Sequence, residues 1–153
     1  MSAIKMSTEI KNELVSLLTP LKKEFSKIGF DFEIDEEQCE HNGYCLNFTG
    51  YYFDEYHKDS PTPFILLVVY VYDDFKQIQI PNIFLPASMH HHNIGLNMLN
   101  EIRKISNKYN YELFIVDMVN SFYHRMLRRE AFPCTDCDDA VCIKTTTDLN
   151  SHF

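Results

Sequence analysis

The sequence predicts a mixed α+β domain: a central, twisted, mostly antiparallel sheet with one parallel pair, flanked by helices. Three observations predict it. Apolar residues recur at three- and four-residue steps over 8–28, strand-like runs joined by short connections fill 30–85, and a strand–helix–strand unit spans 76–119. Short connections favour antiparallel neighbours, whereas a helix between two strands makes a right-handed crossover that leaves them parallel.

Each element follows in order. Ile10, Leu14, Leu17, Leu18, Leu21, Phe25 and Ile28 fall on one helical stripe over 8–28, with Gly29 as its stop. Pro20 interrupts the stripe and Thr19 can cap a new start, so the spacing allows one kinked helix or two, 8–18 and 20–28. "FDFEI" (30–34) alternates as a half-buried strand, and "EEQCEHNG" (36–43) reads as a turn. Three strands follow: "YCLNFTGYYF" (44–53), "PFILLVVYVY" (63–72) and "KQIQIPNIFL" (76–85). The last contains Pro81, which donates no ladder bond and so points to an edge or a bulge. Gly95, Met98, Leu99, Ile102 and Ile105 mark a helix over about 94–108, with Asn110 near its end. "YELFIVDMV" (111–119) reads as a buried strand, and Asn120 and Ser121 as caps of a helix running to about 130. "FPCTDCDDAVCIKTTTD" (132–148) suggests a final hairpin with strands near 132–135 and 140–147.

With 153 residues, 45% hydrophobic and 24% charged, the chain suits one domain, 1–153, with a single core. Its longest apolar run, "FILLVVYVY" (64–72), is far shorter than the ~20 residues of a membrane-spanning helix, so no membrane partner is expected. "MSAIKMSTEIKNEL" lacks a signal-peptide apolar block, which makes the cytoplasm the expected compartment and disulfides unexpected. A formal net charge of −8 opposes binding to nucleic acid over a broad surface and suits small molecules or basic groups. The one basic cluster, "RMLRRE" (125–130), fits an exposed helix face or a phosphorylated ligand.

The chemistry concentrates in "HHHNIG" (90–95), between a strand and a helix. A helix starting there presents unpaired N–H groups and the positive end of its dipole, which together favour an anion. Close backbone approach to such a ligand needs Gly, or Asn as the next residue tolerant of positive φ, and Asn93 and Gly95 stand in those places.

These residues resemble the GNAT superfamily of acyl-CoA N-acyltransferases. Its loop runs Arg or Gln, two variable residues, Gly, one variable residue, then Gly or Ala. His90 falls on the Arg or Gln position, Asn93 on the first Gly and Gly95 on the second, with "NIFLP" (82–86) before them and "LNMLNEI" (96–102) after. Downstream, "VNSFYHRMLRREAF" (119–132) is similar to the block in which an Asn precedes a helix and a Gly-Phe; Asn120 matches the Asn and Ala131-Phe132 the Gly-Phe. The element order is shared over about 43–147.

The resemblance implies a GNAT-like fold whose fourth and fifth strands splay, with acetyl-CoA as co-substrate in the opening and no metal. The pyrophosphate would meet the loop of His90, His91, His92, Asn93, Ile94, Gly95 and Leu96. Backbone around Phe84 and Leu85 would hold the pantetheine, with Asn120 beside it. The acceptor would be an amine on a small molecule or a protein, and a homodimer is compatible. The family's thiolate-protonating Tyr lies five residues before the Phe of Gly-Phe, where this chain has Leu127; Tyr123, one turn earlier, is the candidate to replace it. Asp117, Asp73, Asp74 and Glu55 are candidate bases by location. The family places two helices after its first strand, whereas here the helical segment precedes "FDFEI", so either "FDFEI" is already the second strand or the acceptor site is rebuilt.

Two other readings compete. A GNAT-like binding protein without activity fits the same substitutions, with the aromatic "NFTGYYFDEYH" (47–57) as a partner surface or as core. A small zinc protein would use Cys134 and Cys137 with Cys39, His41 and Cys45, although that second group is irregularly spaced and Cys142 reads as core. Three adjacent histidines point different ways and make a poor metal triad. Imidazoles near a pyrophosphate bind it better when protonated. Coenzyme A affinity is therefore expected to rise as pH falls through about 6.5, measured by calorimetry between about pH 5.5 and 8; a flat profile would remove the triplet from the site.

Overall fold

Ile10 and Leu14, one turn apart on the apolar stripe, are fully buried and define the inner side of one helix, α1 (Ala3–Lys27). The computed structural model describes residues 3–27, 30–40, 43–52, 62–81 and 94–150. Of the two arrangements allowed at Pro20, the chain takes the continuous one. Pro20 and Ser16 are both exposed, so the Ser16 carbonyl that loses its helical donor can meet water. Thr19 does not cap a second helix; its hydroxyl donates to the Val15 carbonyl at 2.8 Å.

Seven strands follow: β1 (Phe30–Cys39), β2 (Gly43–Tyr52), β3 (Thr62–Tyr72), β4 (Gln77–Pro81), β5 (Glu112–Val116), β6 (Phe132–Pro133) and β7 (Val141–Ile143). α2 (Ile94–Lys108) lies between β4 and β5, and α3 (Asn120–Arg128) between β5 and β6. The sheet order is β1-β2-β3-β4-β5-β7-β6. β4 and β5 pair parallel, and every other neighbouring pair is antiparallel.

β1 runs five residues past the expected "FDFEI", into the stretch whose polarity suggests a turn. It is an edge strand, so it pairs on one side only and can expose Glu33, Asp35, Glu36 and Glu37 without losing its ladder to β2. The turn itself is tighter, and the Gly43 N–H donates to the Glu40 carbonyl at 3.1 Å. Gly43 is required there because a Cβ would stand 2.6 Å from the Val71 carbonyl oxygen. Pro81 sits neither at a sheet edge nor at a bulge. It is the last residue of an interior strand, beyond the end of the β3–β4 ladder at Gln79.

The core lies against one face of the sheet. Tyr44, Leu46 and Phe48 of β2, Leu67, Val69 and Val71 of β3, Ile78 and Ile80 of β4, and Leu113 and Ile115 of β5 are buried at alternate positions. They form one cluster with Ile10 and Leu14 of α1 and Met98, Leu99, Ile102 and Ile105 of α2. Each such side chain contributes roughly 1.5–3 kcal/mol by leaving water. The alternate residues Tyr70, Tyr72, Gln77, Gln79, Phe114 and Val116 are only half-buried.

α2 ends as its sequence suggests, with Asn110 in the left-handed region at φ 60° and the Tyr111 N–H returning to the Ser106 carbonyl at 2.8 Å. Tyr111 then donates its hydroxyl to Asp73 at 2.6 Å, tying the start of β5 to the β3–β4 turn. The chain after β7 is held by arginines. Arg103 donates to the carbonyls of Lys144 and Thr147, and the buried Arg129 to those of Asp148 and Asn150. Among the described residues, no helix is long and apolar enough to cross a membrane.

Gly43→Ala is expected to destabilise the fold by about 1–3 kcal/mol in urea denaturation, because backbone rather than a movable side chain blocks the new methyl. Burial holds the Asp73 carboxyl above the usual range, although the Tyr111 hydroxyl opposes the shift. A raised native pKa means that the charged form is penalised in the folded state, fully so above that pKa. Asp73→Asn, which keeps an acceptor for Tyr111, should therefore be more stable than the wild type at about pH 7, with the difference narrowing toward about pH 4.

Candidate functional site

Two parallel neighbours end side by side at Pro81 of β4 and Val116 of β5, which remain paired to their last residues. Ligands of open sheets with crossover helices gather at such carboxyl ends, where helices begin. α2 reaches the same end. Its last turn joins β5 through the short 109–111 connection, it packs against β5, and its 15 residues extend back about 22 Å, past a five-residue strand of about 17 Å. The first turn of α2, Ile94 to Asn97, carries no acidic residue, so its N–H groups and dipole are not neutralised by a side chain of that turn.

α3 begins immediately beyond β5 and has the same character. Its first turn also lacks acid, and its N-cap is Val119, which forms no side-chain cap bond. The expectation that Asn120 and Ser121 cap the helix is thus corrected: the chain is already helical at Asn120, whose side chain is exposed. The cause is the preceding turn. Asp117 adopts φ 52°, a left-handed conformation that Asp tolerates better than most residues, and this swings the Met118 N–H to the Asp139 carbonyl at 2.9 Å. Met118 is buried as a result, while Val119 is 56% exposed beside the helix start.

The predicted residues divide into three groups. Gly95 and Leu96 lie in the first turn of α2, with Leu96 packed on the core. Asp117, Asn120 and Tyr123 belong to the β5–α3 junction at the same end of the sheet. Phe84, Leu85, His90, His91, His92 and Asn93 lie outside the described residues, as do Glu55 and the side chain of Ile94. Tyr123 is half-buried against the core, edge-on to His124 with ring centroids 5.4 Å apart, and Leu127 packs on the same core one turn later.

Two candidate bases are removed by topology. Asp73 and Asp74 occupy the β3–β4 turn, at the start of β4 rather than its carboxyl end, and Asp73 is engaged by Tyr111. The basic cluster also divides. Arg125 and Arg128 are exposed, but Arg129 turns inward to the carbonyls of the C-terminal segment and is not a surface ligand for phosphate. Val119 is the residue that pattern missed, because it read as the last residue of a strand over 111–119.

The cysteines are five free thiols. Cys142 is buried in β7 as expected, and burial pushes Cys134 above the ordinary thiol range. Among the described residues, no three His, Cys, Asp or Glu side chains come together as a metal site; His41 lies outside them. In the aromatic 47–57 run, Phe48 is core and Tyr51 is half-buried, while 53–57 lies outside the described residues.

Comparisons with protein-family models, with curated proteins and with solved structures give no match.

Proposed function

We propose that the chain is a GNAT-like, acyl-CoA-dependent N-acyltransferase that moves an acetyl group to a primary amine on a small molecule or protein. One observation carries this reading. The parallel pair β4–β5 ends beside helix starts that lack acidic residues, within the sheet order β1-β2-β3-β4-β5-β7-β6. That arrangement suits a pyrophosphate at the α2 N-terminus and a thioester beyond the strand ends, which within the described residues stay paired as far as Pro81 and Val116 instead of splaying as expected. It also agrees with the loop resemblance at His90, Asn93 and Gly95.

The chemistry asks three things of the chain. The attacking amine must be oriented and lose a proton, and Asp117, exposed at the mouth, is the base on this reading. The carbonyl oxygen, negative while the C–N bond forms and the C–S bond breaks, needs donors, which backbone at the strand end and Asn120 would supply. The departing thiolate must gain a proton, the role assigned to Tyr123. The acidic chain, at −8, favours a cationic acceptor.

A second reading, binding without turnover, is favoured by Leu127 in the usual proton-donor position and by the packing of the Tyr123 ring on the core. Calorimetry with acetyl-CoA, followed by turnover assays across an amine panel, separates the two. Saturable binding with turnover is the expected result, binding alone selects the second reading, and no binding at millimolar acetyl-CoA sinks both. If the enzyme reading holds, Asp117→Asn and Tyr123→Phe should each lower kcat about 10²-fold or more while leaving acetyl-CoA affinity unchanged.

A further inference from the structure

The last hairpin closes through a tight turn. Its ladder pairs Phe132 with Cys142 and Pro133 with Val141, and the Cys134 N–H then donates to the Ala140 carbonyl at 3.1 Å. Thr135 and Asp136 are the central residues of the turn that follows, which makes Cys134 its first residue and Cys137 its last. The Cα atoms at those two places of a turn stand within about 7 Å of each other. A disulfide spans about 4.4–6.8 Å between Cα atoms, so this backbone brings the two thiols within bridging range.

Their surroundings suit thiol exchange. Cys137 is exposed and Cys134 half-buried, whereas Cys142, the other cysteine of the hairpin, is only 8% exposed. A dissolved reagent therefore meets Cys137 first, with Cys134 next to it in the turn. Burial first, and then Cys137, Asp136 and Glu112, push the Cys134 thiol upward. Two thiolates there would repel each other and the carboxylates, and a disulfide carries no charge. Zinc would relieve the same repulsion but wants four ligands, and among the described residues no three His, Cys, Asp or Glu side chains gather for it.

The bridge would enclose only Thr135 and Asp136. So short a loop removes little freedom from the unfolded chain, and its exposed sulfur stays open to a reducing thiol. The turn is also tied to the β5–α3 junction. Asp138 alone separates Cys137 from Asp139, whose carbonyl accepts the Met118 N–H at 2.9 Å and so fixes the chain between Asp117 and α3. Drawing Cys137 toward Cys134 moves the segment that carries this acceptor.

We propose that Cys134 and Cys137 form a reversible dithiol–disulfide pair, oxidised by small disulfides such as glutathione disulfide, whose state is transmitted through Asp139 to Met118. The Cys137 thiolate attacks one sulfur of glutathione disulfide, forms a mixed disulfide and releases one glutathione thiolate. Cys134, on losing its proton, attacks the Cys137 sulfur and releases the second glutathione. Two thiols lose two electrons, one glutathione disulfide gains them, and the two thiol protons end on the two glutathiones. The pair stands whether or not the acyl-transfer reading holds.

The test treats the full chain, ¹⁵N-labelled, with excess glutathione disulfide and then with dithiothreitol. In the expected product the tryptic peptide 130–144 has lost two hydrogen atoms, carries no glutathione on Cys134 or Cys137, and takes up an alkylating reagent in denaturant only at Cys142. The Met118 amide resonance shifts on oxidation and returns on reduction. Cys134→Ser, which removes the second thiol, should instead hold glutathione on Cys137. Alkylation of both Cys134 and Cys137 after the oxidation would overturn the pair, and so would a glutathione adduct that persists on Cys137 in the wild type. A bridge that leaves the Met118 amide unmoved would overturn the transmission through Asp139.

Discussion

The parallel pairing of Gln77–Pro81 with Glu112–Val116 governs the rest of the architecture. Two neighbours that run the same way cannot be joined by a hairpin, so the chain must leave at Pro81, cross the sheet and return at Glu112. α2 is the returning element, and its burial over Ile78, Ile80, Leu113 and Ile115 supplies the apolar contact that makes the crossing favourable. The two ends of the pair then differ in kind. At the entry end, Tyr111 bonds to Asp73 and the Glu112 N–H to the Lys76 carbonyl, which closes the junction. At the exit end, α2 and α3 begin with no acidic residue in their first turns, so the two ends of the pair differ electrostatically.

Positive charge is scarce in this chain, and part of it is spent internally. Arg103 and Arg129 direct their guanidinium groups to main-chain carbonyls of 144–150, securing a segment that has little regular structure of its own. A planar guanidinium can satisfy two carbonyls at once, which suits it to this role. An anion at the exit end would therefore rely on the backbone N–H groups there more than on Arg103 or Arg129. The acidic β1, by contrast, protects an open sheet edge, since a second strand would have to pair against several carboxylates.

Much of this arrangement could be read from residue pattern, and the reason is local. α2 follows the expected bounds because Met98, Leu99, Ile102 and Ile105 hold one helical face, and Asn110 marks its end by tolerating a left-handed backbone. β2 and β3 also fall where alternation and apolar runs put them, whereas β5 stops at Val116 and the last hairpin strands are shorter than expected, at Phe132–Pro133 and Val141–Ile143. β1 extends beyond its alternating half because residues 35–38 are polar on both faces, a pattern that an edge strand allows and that a turn mimics. Pro20 and Pro81 misled for a related reason: the effect of a missing N–H depends on whether its would-be acceptor faces water, a strand or the end of a ladder.

The sequence by itself determined the strand–helix–strand unit, the parallel pair it implies and most of the core, because periodicity records which side of each element must leave water. Only the tertiary structure decided that Asp73 and Asp117 stand at opposite ends of the sheet, that Arg129 turns inward, and that the hairpin carrying Cys134 and Cys137 is tied through Asp139 to the chain before α3. Those outcomes depend on register between segments far apart in the chain, and the pairing energy that sets register is shared among many residues, none of which displays it alone.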